Sequence, residues 1–243
     1  SGAERQVWCW GYNFHGELGL GTMVDSRLAQ RVPGITDAAD LRVLANATCV
    51  RRTAGAVAGQ VWCWGRNIES QLADGSNTNR FTPGAVTNPM STPLAPMPQT
   101  MMQTLACSYY GCWSRRADGT FVSWGNQIGS NRANPTTFFN NIADYDLNGN
   151  NNSSCIIRTT GVTECNGYNE FGNNGNGMLA YYDGTLRPVT GDYVVVDVPP
   201  AYGGPCAVER AGTVACWGWT GNGALLAAGI DGITRAPAEI PPP

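Results

Sequence analysis

Nine cysteines and one histidine, His15, are the residues of this 243-residue chain best suited to nucleophilic or base chemistry or to binding a transition metal. The cysteines are spread along the chain instead of clustering in Cys-x-x-Cys pairs, which favours disulfides in an oxidising compartment over a zinc site. A nucleophile–base pair would have to use His15, because all 15 basic residues are arginine. No serine or cysteine stands beside it, and no paired-carboxylate motif is present. We therefore expect a surface histidine, no catalytic residues and no enzyme.

The charge of the chain argues against nucleic acid as a partner, and its hydrophobic pattern argues against insertion into a membrane. The formal net charge is −3 and no basic stripe that could follow a phosphate backbone is present, so we expect no nucleic-acid partner. No apolar run of about 18 residues occurs, so membrane insertion is not expected either. The opening residues SGAERQVWCW lack the regions of a secretory signal peptide, which indicates a mature or trimmed chain.

One phrase returns five times along the chain and predicts the elements that must position the cysteines. The copies are VWCWGYN (7–13), VWCWGRN (61–67), FVSWGNQ (121–127), VTECNGYN (162–169) and VACWGW (214–219). A glycine precedes most copies, where a hairpin turn needs a positive φ.

Each repeat predicts four short antiparallel strands, too few to bury a core alone, so neighbouring repeats must stack. The predicted repeats are 6–58, 59–118, 119–160, 161–211 and 212–243, within a single domain over 1–243.

The phrase Gly-x-Val-x-Cys-Trp-Gly-x-Asn, followed by Gly-x-Leu-Gly-x-Gly and a proline, resembles the regulator of chromosome condensation repeat family. The resemblance runs over essentially the whole chain and is strongest in the first two copies. It implies an all-β β-propeller of about five four-stranded antiparallel blades, with an incomplete blade at the chain ends, whereas that family usually closes seven blades. The cysteines resemble those of secreted bacterial members. Because the family includes exchange factors, photoreceptors and a β-lactamase inhibitor, the resemblance leaves the function open.

The repeats also predict how the cysteines pair. In three repeats one cysteine precedes the turn glycine and another follows it, so the two can face each other across adjacent strands. In the third repeat Ser123 takes the second position, and Cys107 is the substitute partner of Cys112. The predicted disulfides are Cys49–Cys63, Cys107–Cys112, Cys155–Cys165 and Cys206–Cys216.

Cys9 is left over by this pairing, because the first cysteine of its blade would lie outside the 243 residues. It is either an intermolecular bridge or bond to a trimmed segment, or a buried free thiol. In the same way, either the ends of the chain are trimmed or another chain completes the ring.

Aromatic side chains are the candidate binding residues. Four tryptophans stand at the repeat position that packs between blades, and we assign them to the core: Trp10, Trp64, Trp124 and Trp217. Other aromatic residues fall off this position and are candidate exposed anchors for a protein or a sugar. They are Trp8, Trp62, Trp113, Trp219, Tyr109, Tyr110, Tyr181 and Tyr182.

Calcium is the one cofactor that the sequence suggests. Asp144, Asp146 and Asn148 place oxygen-bearing side chains at alternate positions and Gly149 stands sixth, as in a calcium-binding loop. Cys155 occupies the twelfth position, where a bidentate glutamate belongs. An Asn-rich turn without a metal is therefore the alternative interpretation.

These patterns together predict an extracellular or cell-surface binding scaffold. We expect it to contact protein partners or further copies of itself, as part of an adhesive or filamentous assembly. A carbohydrate-binding, lectin-like propeller that uses the exposed aromatic residues is an alternative hypothesis. A secreted enzyme inhibitor is another.

Overall fold

The computed structural model describes residues 5–88, 95–96, 102–108, 110–116, 119–127, 130–139, 141–147, 154–197, 204–219 and 233–240. These residues form β-strands and turns, with one turn of 3-10 helix at Gly55–Val57. Within this described part, no helix is long and apolar enough to cross a membrane. The chain divides into two compact units, residues 1–140 and 141–243. The predicted all-β fold class is confirmed.

The first unit contains one two-stranded sheet, two four-stranded sheets and a short ladder, all antiparallel. The two-stranded sheet pairs β1 (Trp8–Gly11) with β2 (Ser26–Arg31). The next sheet contains β3 (Ala38–Val43), β4 (Ala47–Arg52), β5 (Val61–Gly65) and β6 (Arg80–Ala85). The short ladder pairs β7 (Thr87–Asn88) with β8 (Ala95–Pro96). The last sheet contains β9 (Ala106–Cys107), β10 (Gly111–Arg115), β11 (Phe121–Gln127) and β12 (Ser130–Phe139).

The second unit contains two four-stranded antiparallel sheets. The first consists of β13 (Ile142–Leu147), β14 (Ser154–Arg158), β15 (Thr163–Asn169) and β16 (Ala180–Val189). The second consists of β17 (Tyr193–Asp197), β18 (Cys206–Glu209), β19 (Val214–Trp219) and β20 (Ile233–Ile240). In every four-stranded sheet of the molecule the strands follow one another in chain order, and the repeated phrase forms the third strand. Each such sheet has the four antiparallel strands that the sequence predicts for a repeat. The sheets do not follow the predicted repeat bounds, however, because each sheet begins two strands before the phrase and so crosses one of the bounds at 58, 118, 160 and 211.

Disulfides link neighbouring strands within each four-stranded sheet. Three cysteine pairs stand directly opposite each other between the second and third strands, and the fourth links β9 to β10. The hairpin turn before β5 ends at Gly59, whose φ of 77° is accessible to glycine at little cost. The structure brings together the four pairs that the sequence predicts, Cys49–Cys63, Cys107–Cys112, Cys155–Cys165 and Cys206–Cys216.

The sheet β9–β12 has no cysteine at the central position of its third strand, and different side chains face each other there. Trp113 in β10 lies directly opposite Ser123 in β11, at the register position where the other sheets have a cysteine pair. The large indole of Trp113 against the small side chain of Ser123 fills the space that a disulfide fills in the other sheets, and Trp113 is fully buried. Cys112 is one residue out of that register and bonds Cys107 instead.

Candidate functional site

A polar loop follows each of the strands β1, β5 and β15, and a buried asparagine organises it. The Asn13 side-chain nitrogen donates to the backbone carbonyl of Thr22 at 3.0 Å, and its oxygen accepts the backbone N–H of Leu18 at 2.9 Å. Asn67 and Asn169 make the equivalent bonds in their own repeats. Because both ends of each loop are held through one side chain, the exposed loop residues are presented on a rigid support.

Tyr12, Phe14 and His15 lie together on the loop after β1, and we call them the first aromatic patch. The Tyr12 and Phe14 rings stack with centroids 6.2 Å apart, and Phe14 meets the His15 ring edge-on at 5.0 Å. More than half of the surface of Tyr12 and of Phe14 is exposed. The His15 ring lies 3.3 Å from the amide of Asn79, and its backbone N–H donates to Glu17. The patch is an apolar contact surface fixed by polar neighbours, the combination typical of binding hot spots.

The second unit carries a similar cluster, the second aromatic patch, formed by Tyr168, Phe171, Tyr181 and Trp219. The Tyr168 ring meets Tyr181 at 5.4 Å and Phe171 at 5.9 Å, and Phe171 meets Trp219 at 5.8 Å. The Tyr168 hydroxyl donates a hydrogen bond to the carboxylate of Glu170. Tyr181 is 77% exposed. Tyr168 and Tyr12 follow the same glycine of the repeat, so the fold presents an aromatic ring at the same point of two repeats.

The predicted aromatic anchors have different surroundings. Trp8 is half exposed, Trp219 belongs to the second aromatic patch, and Tyr110 is half-buried. Trp113 is fully buried, so the prediction of an exposed anchor at that position is wrong, because its ring fills the space that a disulfide fills elsewhere. Tyr109 lies outside the described residues.

Trp62 is half-buried and is held by its neighbours. Its indole N–H donates to Gln60 at 3.0 Å, and the guanidinium of Arg52 lies over the ring at 4.7 Å. Arg52 also pairs with Asp37 at 2.6 Å. Burial raises the pKa of the Asp37 carboxyl, but hydrogen bonds from Arg52 and from the Ala54 backbone N–H outweigh it, so the pKa lies below its usual value. A cation–π contact therefore already occupies one face of Trp62.

Trp10 differs from the other three tryptophans assigned to the core. Trp64, Trp124 and Trp217 are fully buried, whereas Trp10 is 64% exposed. The assignment of Trp10 to the core is therefore wrong. Each buried indole donates to a loop carbonyl of the preceding repeat, and no described residue supplies such a loop to Trp10.

Cys9 is the free cysteine among nine, and it is half-buried in β1. Burial raises the pKa of its thiol above the usual value, so little thiolate forms at neutral pH. The thiol borders an open cavity of about 400 Å³. Apolar and aromatic side chains contribute most of the lining, among them Trp8, Trp10, Leu41, Val43 and Leu44.

The predicted calcium loop is only partly within the described residues. The Asp144 carboxylate accepts the backbone N–H of Val196 at 3.0 Å, which gives it a role in joining neighbouring sheets. The Asp146 side chain and Asn148 lie outside the described part of the structure. Calcium at this loop stays a prediction.

The sequence did not predict four members of the patches: Tyr12 and Phe14, which are exposed, and Tyr168 and Phe171, which are half-buried. A usable signal was present, because the tripeptide Gly-Tyr-Asn recurs at 11–13 and 167–169. The buried asparagine ends this tripeptide, and the tyrosine before it must therefore point away from the loop interior. Phe14 and Phe171 carry no such repeat signal, since their neighbours differ between the two loops.

A protein-family model matches part of this chain. Residues 58–112 match the regulator of chromosome condensation (RCC1) repeat. The matched segment contains β5 and its Val61–Gly65 phrase, the clearest copy in the chain together with residues 7–13.

Several solved structures are similar to this chain. Human WBSCR16 is 16% identical, with a TM-score of 0.70 over 98% of this chain and 67% of that one. Yeast RCC1 (Prp20), in a structure bound to Kap60, is 15% identical, with a TM-score of 0.69 over 98% of this chain and 57% of Prp20. The ectodomain of the Physcomitrella patens receptor kinase CR4 is 21% identical, with a TM-score of 0.50 over 89% of this chain and 47% of that one. This chain therefore spans less than two thirds of Prp20 and of the CR4 ectodomain.

These similarities show the fold. The repeated four-stranded antiparallel sheets have the fold of β-propeller blades, as in these structures, which is the fold class that the sequence predicts.

Proposed function

We propose that this chain is an extracellular β-propeller that binds protein partners through its two aromatic patches. The observation that carries the proposal is the exposure of Tyr12, Phe14 and Tyr181 on a framework of loops organised by buried asparagines. Rigid aromatic rings lose little conformational entropy on binding and bury a large apolar area, which is why they dominate protein interfaces. The patches, each in its own unit, offer such rings at the same repeat position.

Two further observations support protein binding outside the cell. Four disulfides favour an oxidising compartment, as in the secreted bacterial proteins that the sequence resembles. Among the similar structures, CR4 is represented by an ectodomain and Prp20 is bound to Kap60. An adhesive or self-assembling scaffold is the form of this function that we favour, because stacked, disulfide-linked repeats resist unfolding.

A capture experiment tests the proposal. The whole chain, biotinylated at its amino terminus, is exposed to the culture fluid of its source and the retained proteins are quantified by mass spectrometry. We compare the wild type with Tyr12→Ser/Phe14→Ser and with Leu28→Ser, whose side chain in β2 is even more exposed but lies outside both patches. A partner should be retained by the wild type and by Leu28→Ser and reduced at least about tenfold by the double variant. Equal retention by all three would refute binding through the first patch.

Two controls separate the related functions. Sedimentation over a range of concentrations shows self-assembly as a rise in mass that the double variant lacks. Binding of the wild type, but not of the double variant, to a glycan array would favour sugar recognition over protein binding. Intact mass before and after reduction, after secretion from cells, should differ by eight hydrogens, two for each of the four disulfides.

A further inference from the structure

Two disulfides of the first unit lie against each other in its core. The Sγ atoms of Cys49 and Cys112 are 3.9 Å apart, and both lie within 4.8 Å of the Cys107 Sγ atom. Cys49 is bonded to Cys63, and Cys112 is bonded to Cys107. Three sulfur atoms from two different disulfides are therefore close enough for thiol–disulfide exchange after a small movement of the side chains.

The shifted register of β10 produces this contact. Cys112 lies directly opposite the buried tryptophan of β11, which is the position that Thr48 holds in β4. That position faces the preceding repeat, since the Thr48 hydroxyl donates to the Glu17 carbonyl there. Successive side chains of a strand point to opposite faces, so Cys49, the residue after Thr48, faces the following sheet. The shift of one residue thus turns Cys112 towards Cys49, and both belong to one buried cluster.

The burial of the four cysteines sets the order in which they react. Cys107 is half-buried, whereas Cys49, Cys63 and Cys112 are fully buried. An external thiol therefore reaches the Cys107 sulfur first, and its attack expels Cys112 as the thiolate, next to Cys49. The Cys63 sulfur is outside the group of three that lie within 4.8 Å of one another among the described residues. Cys49 is therefore the sulfur that the Cys112 thiolate meets.

The second unit contains a matching disulfide without such a neighbour. Cys206 is half-buried and its partner Cys216 is buried, as for Cys107 and Cys112. In the part of this unit that the structure describes, no three cysteine sulfurs lie within 4.8 Å of one another. Reduction of Cys206–Cys216 should therefore end with two free thiols.

We propose that the Cys107–Cys112 disulfide is a reaction site for an external dithiol, and that its opening moves the neighbouring disulfide from Cys49–Cys63 to Cys49–Cys112. In the first step a thiolate of the dithiol bonds the Cys107 sulfur, and the Cys112 thiolate leaves with the electron pair. Cys112 then bonds Cys49, and the Cys63 thiolate leaves and takes up a proton. The second thiol of the dithiol closes a ring and releases Cys107 as a thiol, so one dithiol is oxidised and one protein disulfide is reduced.

The product joins two neighbouring sheets through a covalent bond. Cys49 lies in β4 and Cys112 in β10, and their sequence separation is 63 residues, compared with 14 for Cys49 and Cys63. A cross-link that closes a longer segment restricts the unfolded chain more, which favours the exchanged product. Loss of one disulfide within a sheet would therefore leave a cross-link between two sheets.

The test is a timed reduction of the whole chain with the substitution Cys9→Ser, which we call the reference chain. This substitution removes the free cysteine, so the added dithiol starts every exchange. One equivalent of dithiothreitol is added to the folded protein, and the reaction is stopped with acid at intervals. Free thiols are then labelled with a maleimide in acidic denaturant, and the labelled and disulfide-linked peptides are identified by mass spectrometry.

We expect the label on Cys63 and Cys107, together with a new linked pair of peptides that contain Cys49 and Cys112. Label on Cys107 and Cys112 with Cys49–Cys63 intact would overturn the proposal. At the matching disulfide of the second unit, both cysteines should carry the label without any new linked pair. New pairs formed equally fast in the second unit would indicate general scrambling and would also overturn the proposal.

A variant of the reference chain tests whether Cys63 is released through Cys112. In Cys107→Ser/Cys112→Ser the Cys63 thiol should appear at least about tenfold more slowly, because the remaining disulfide is buried and has no internal thiol beside it. The buried Cys155–Cys165 disulfide is the internal control and should be reduced at an unchanged rate. An unchanged rate for Cys63 as well would contradict the exchange. A faster reduction of the control would mark an unfolded variant, and the peptide map of the reference chain then decides.

Discussion

The indole N–H of Trp64 donates a hydrogen bond of 2.8 Å to the backbone carbonyl of Glu17, in the loop of the preceding repeat. Trp124 makes the same bond to Gln71 at 3.0 Å, and Trp217 to Asn173 at 2.9 Å. Each bond joins a fully buried ring to the loop that a buried asparagine organises. One directional contact thus sets how a repeat stacks on the one before it.

Trp64→Phe should reduce the free energy of unfolding by about 2 kcal/mol, because the Glu17 carbonyl loses its donor and the smaller ring leaves a void. Trp10→Phe is the control, since the Trp10 ring is exposed and makes no such bond; we expect a change within about 0.5 kcal/mol. Urea denaturation of both variants measures the two values. A large loss from Trp10→Phe would show that its ring is covered.

Gly19 lies beneath the same indole, and its substitution separates steric contact from backbone conformation. Gly19 and Gly34 have similar φ angles, 70° and 76°, which strain any other residue. A Cβ on Gly19 would stand 2.8 Å from Trp64 Nε1, whereas one on Gly34 would meet nothing within 4 Å. Gly34→Ala should cost about 1 kcal/mol, and Gly19→Ala should cost at least about 1 kcal/mol more. Equal losses in thermal denaturation would contradict the close contact.

The repeat phrase was enough to predict the strands and the four cysteine pairs, because both depend on local register. A hairpin places cysteines opposite each other at a spacing that the sequence displays. The exposure of Trp10 was not predictable in this way, since the cover of that ring belongs to a neighbouring repeat, not to its own strand. The burial of Trp113 was not predicted because aligning Cys112 with the first cysteine of the other repeats places Cys112 opposite Ser123. In the structure Trp113 lies opposite Ser123, one residue further along the strand.

The aromatic patches were predicted only in part. Tyr181 and Trp219 were chosen because they fall outside the repeated core position, and the structure places them beside Tyr168 and Phe171. Tyr12 was not predicted, because the tryptophan and glycine beside it indicate a strand packed between repeats. Which loop residues cluster depends on loop conformation, and the buried asparagine that sets it acts through bonds to residues up to eleven positions away.

Asn174 stands where the other loops have a buried leucine, and we expect Asn174→Leu to stabilise the chain. Its backbone N–H bonds Asn169 just as Leu18 bonds Asn13 and Leu72 bonds Asn67. Asn174 is fully buried, and its side-chain amide has no hydrogen-bond partner among the described residues. Leucine should therefore raise the free energy of unfolding by about 1–2 kcal/mol. Asn174→Ala should raise the free energy of unfolding by less, because it leaves a void. A decrease in that free energy for Asn174→Leu would indicate that the amide binds a water or an ion.

Asp37 should stabilise the fold in a pH-dependent way. Asp37→Asn breaks a buried ion pair with Arg52 and should cost about 2 kcal/mol at neutral pH, whereas Asp192→Asn breaks an exposed pair with Arg210 and should cost about 0.5 kcal/mol or less. Because the pKa of Asp37 is lowered on folding, its contribution is complete above the usual pKa of an aspartate. The contribution is lost as pH falls through the lowered value. Urea titrations from pH 7 to pH 3 should show the difference from Asp37→Asn shrinking, and a constant difference would contradict an ionised Asp37.

Tyr193 should make the fold sensitive to alkaline pH. Burial, followed by the charges of Glu209 and Glu239, raises the pKa of Tyr193 to about 12, and its hydroxyl donates to the Thr190 carbonyl at 2.9 Å. The unfolded chain loses this proton near pH 10, before the folded chain does, so stability is complete below that pH and falls as pH rises towards 12. Tyr193→Phe lacks this proton and should cost about 1 kcal/mol at pH 7 through the lost hydrogen bond, a difference that narrows above pH 10. Denaturant midpoints of both proteins measured between pH 7 and pH 11.5 test this, and parallel curves over the whole range would exclude a raised pKa for Tyr193.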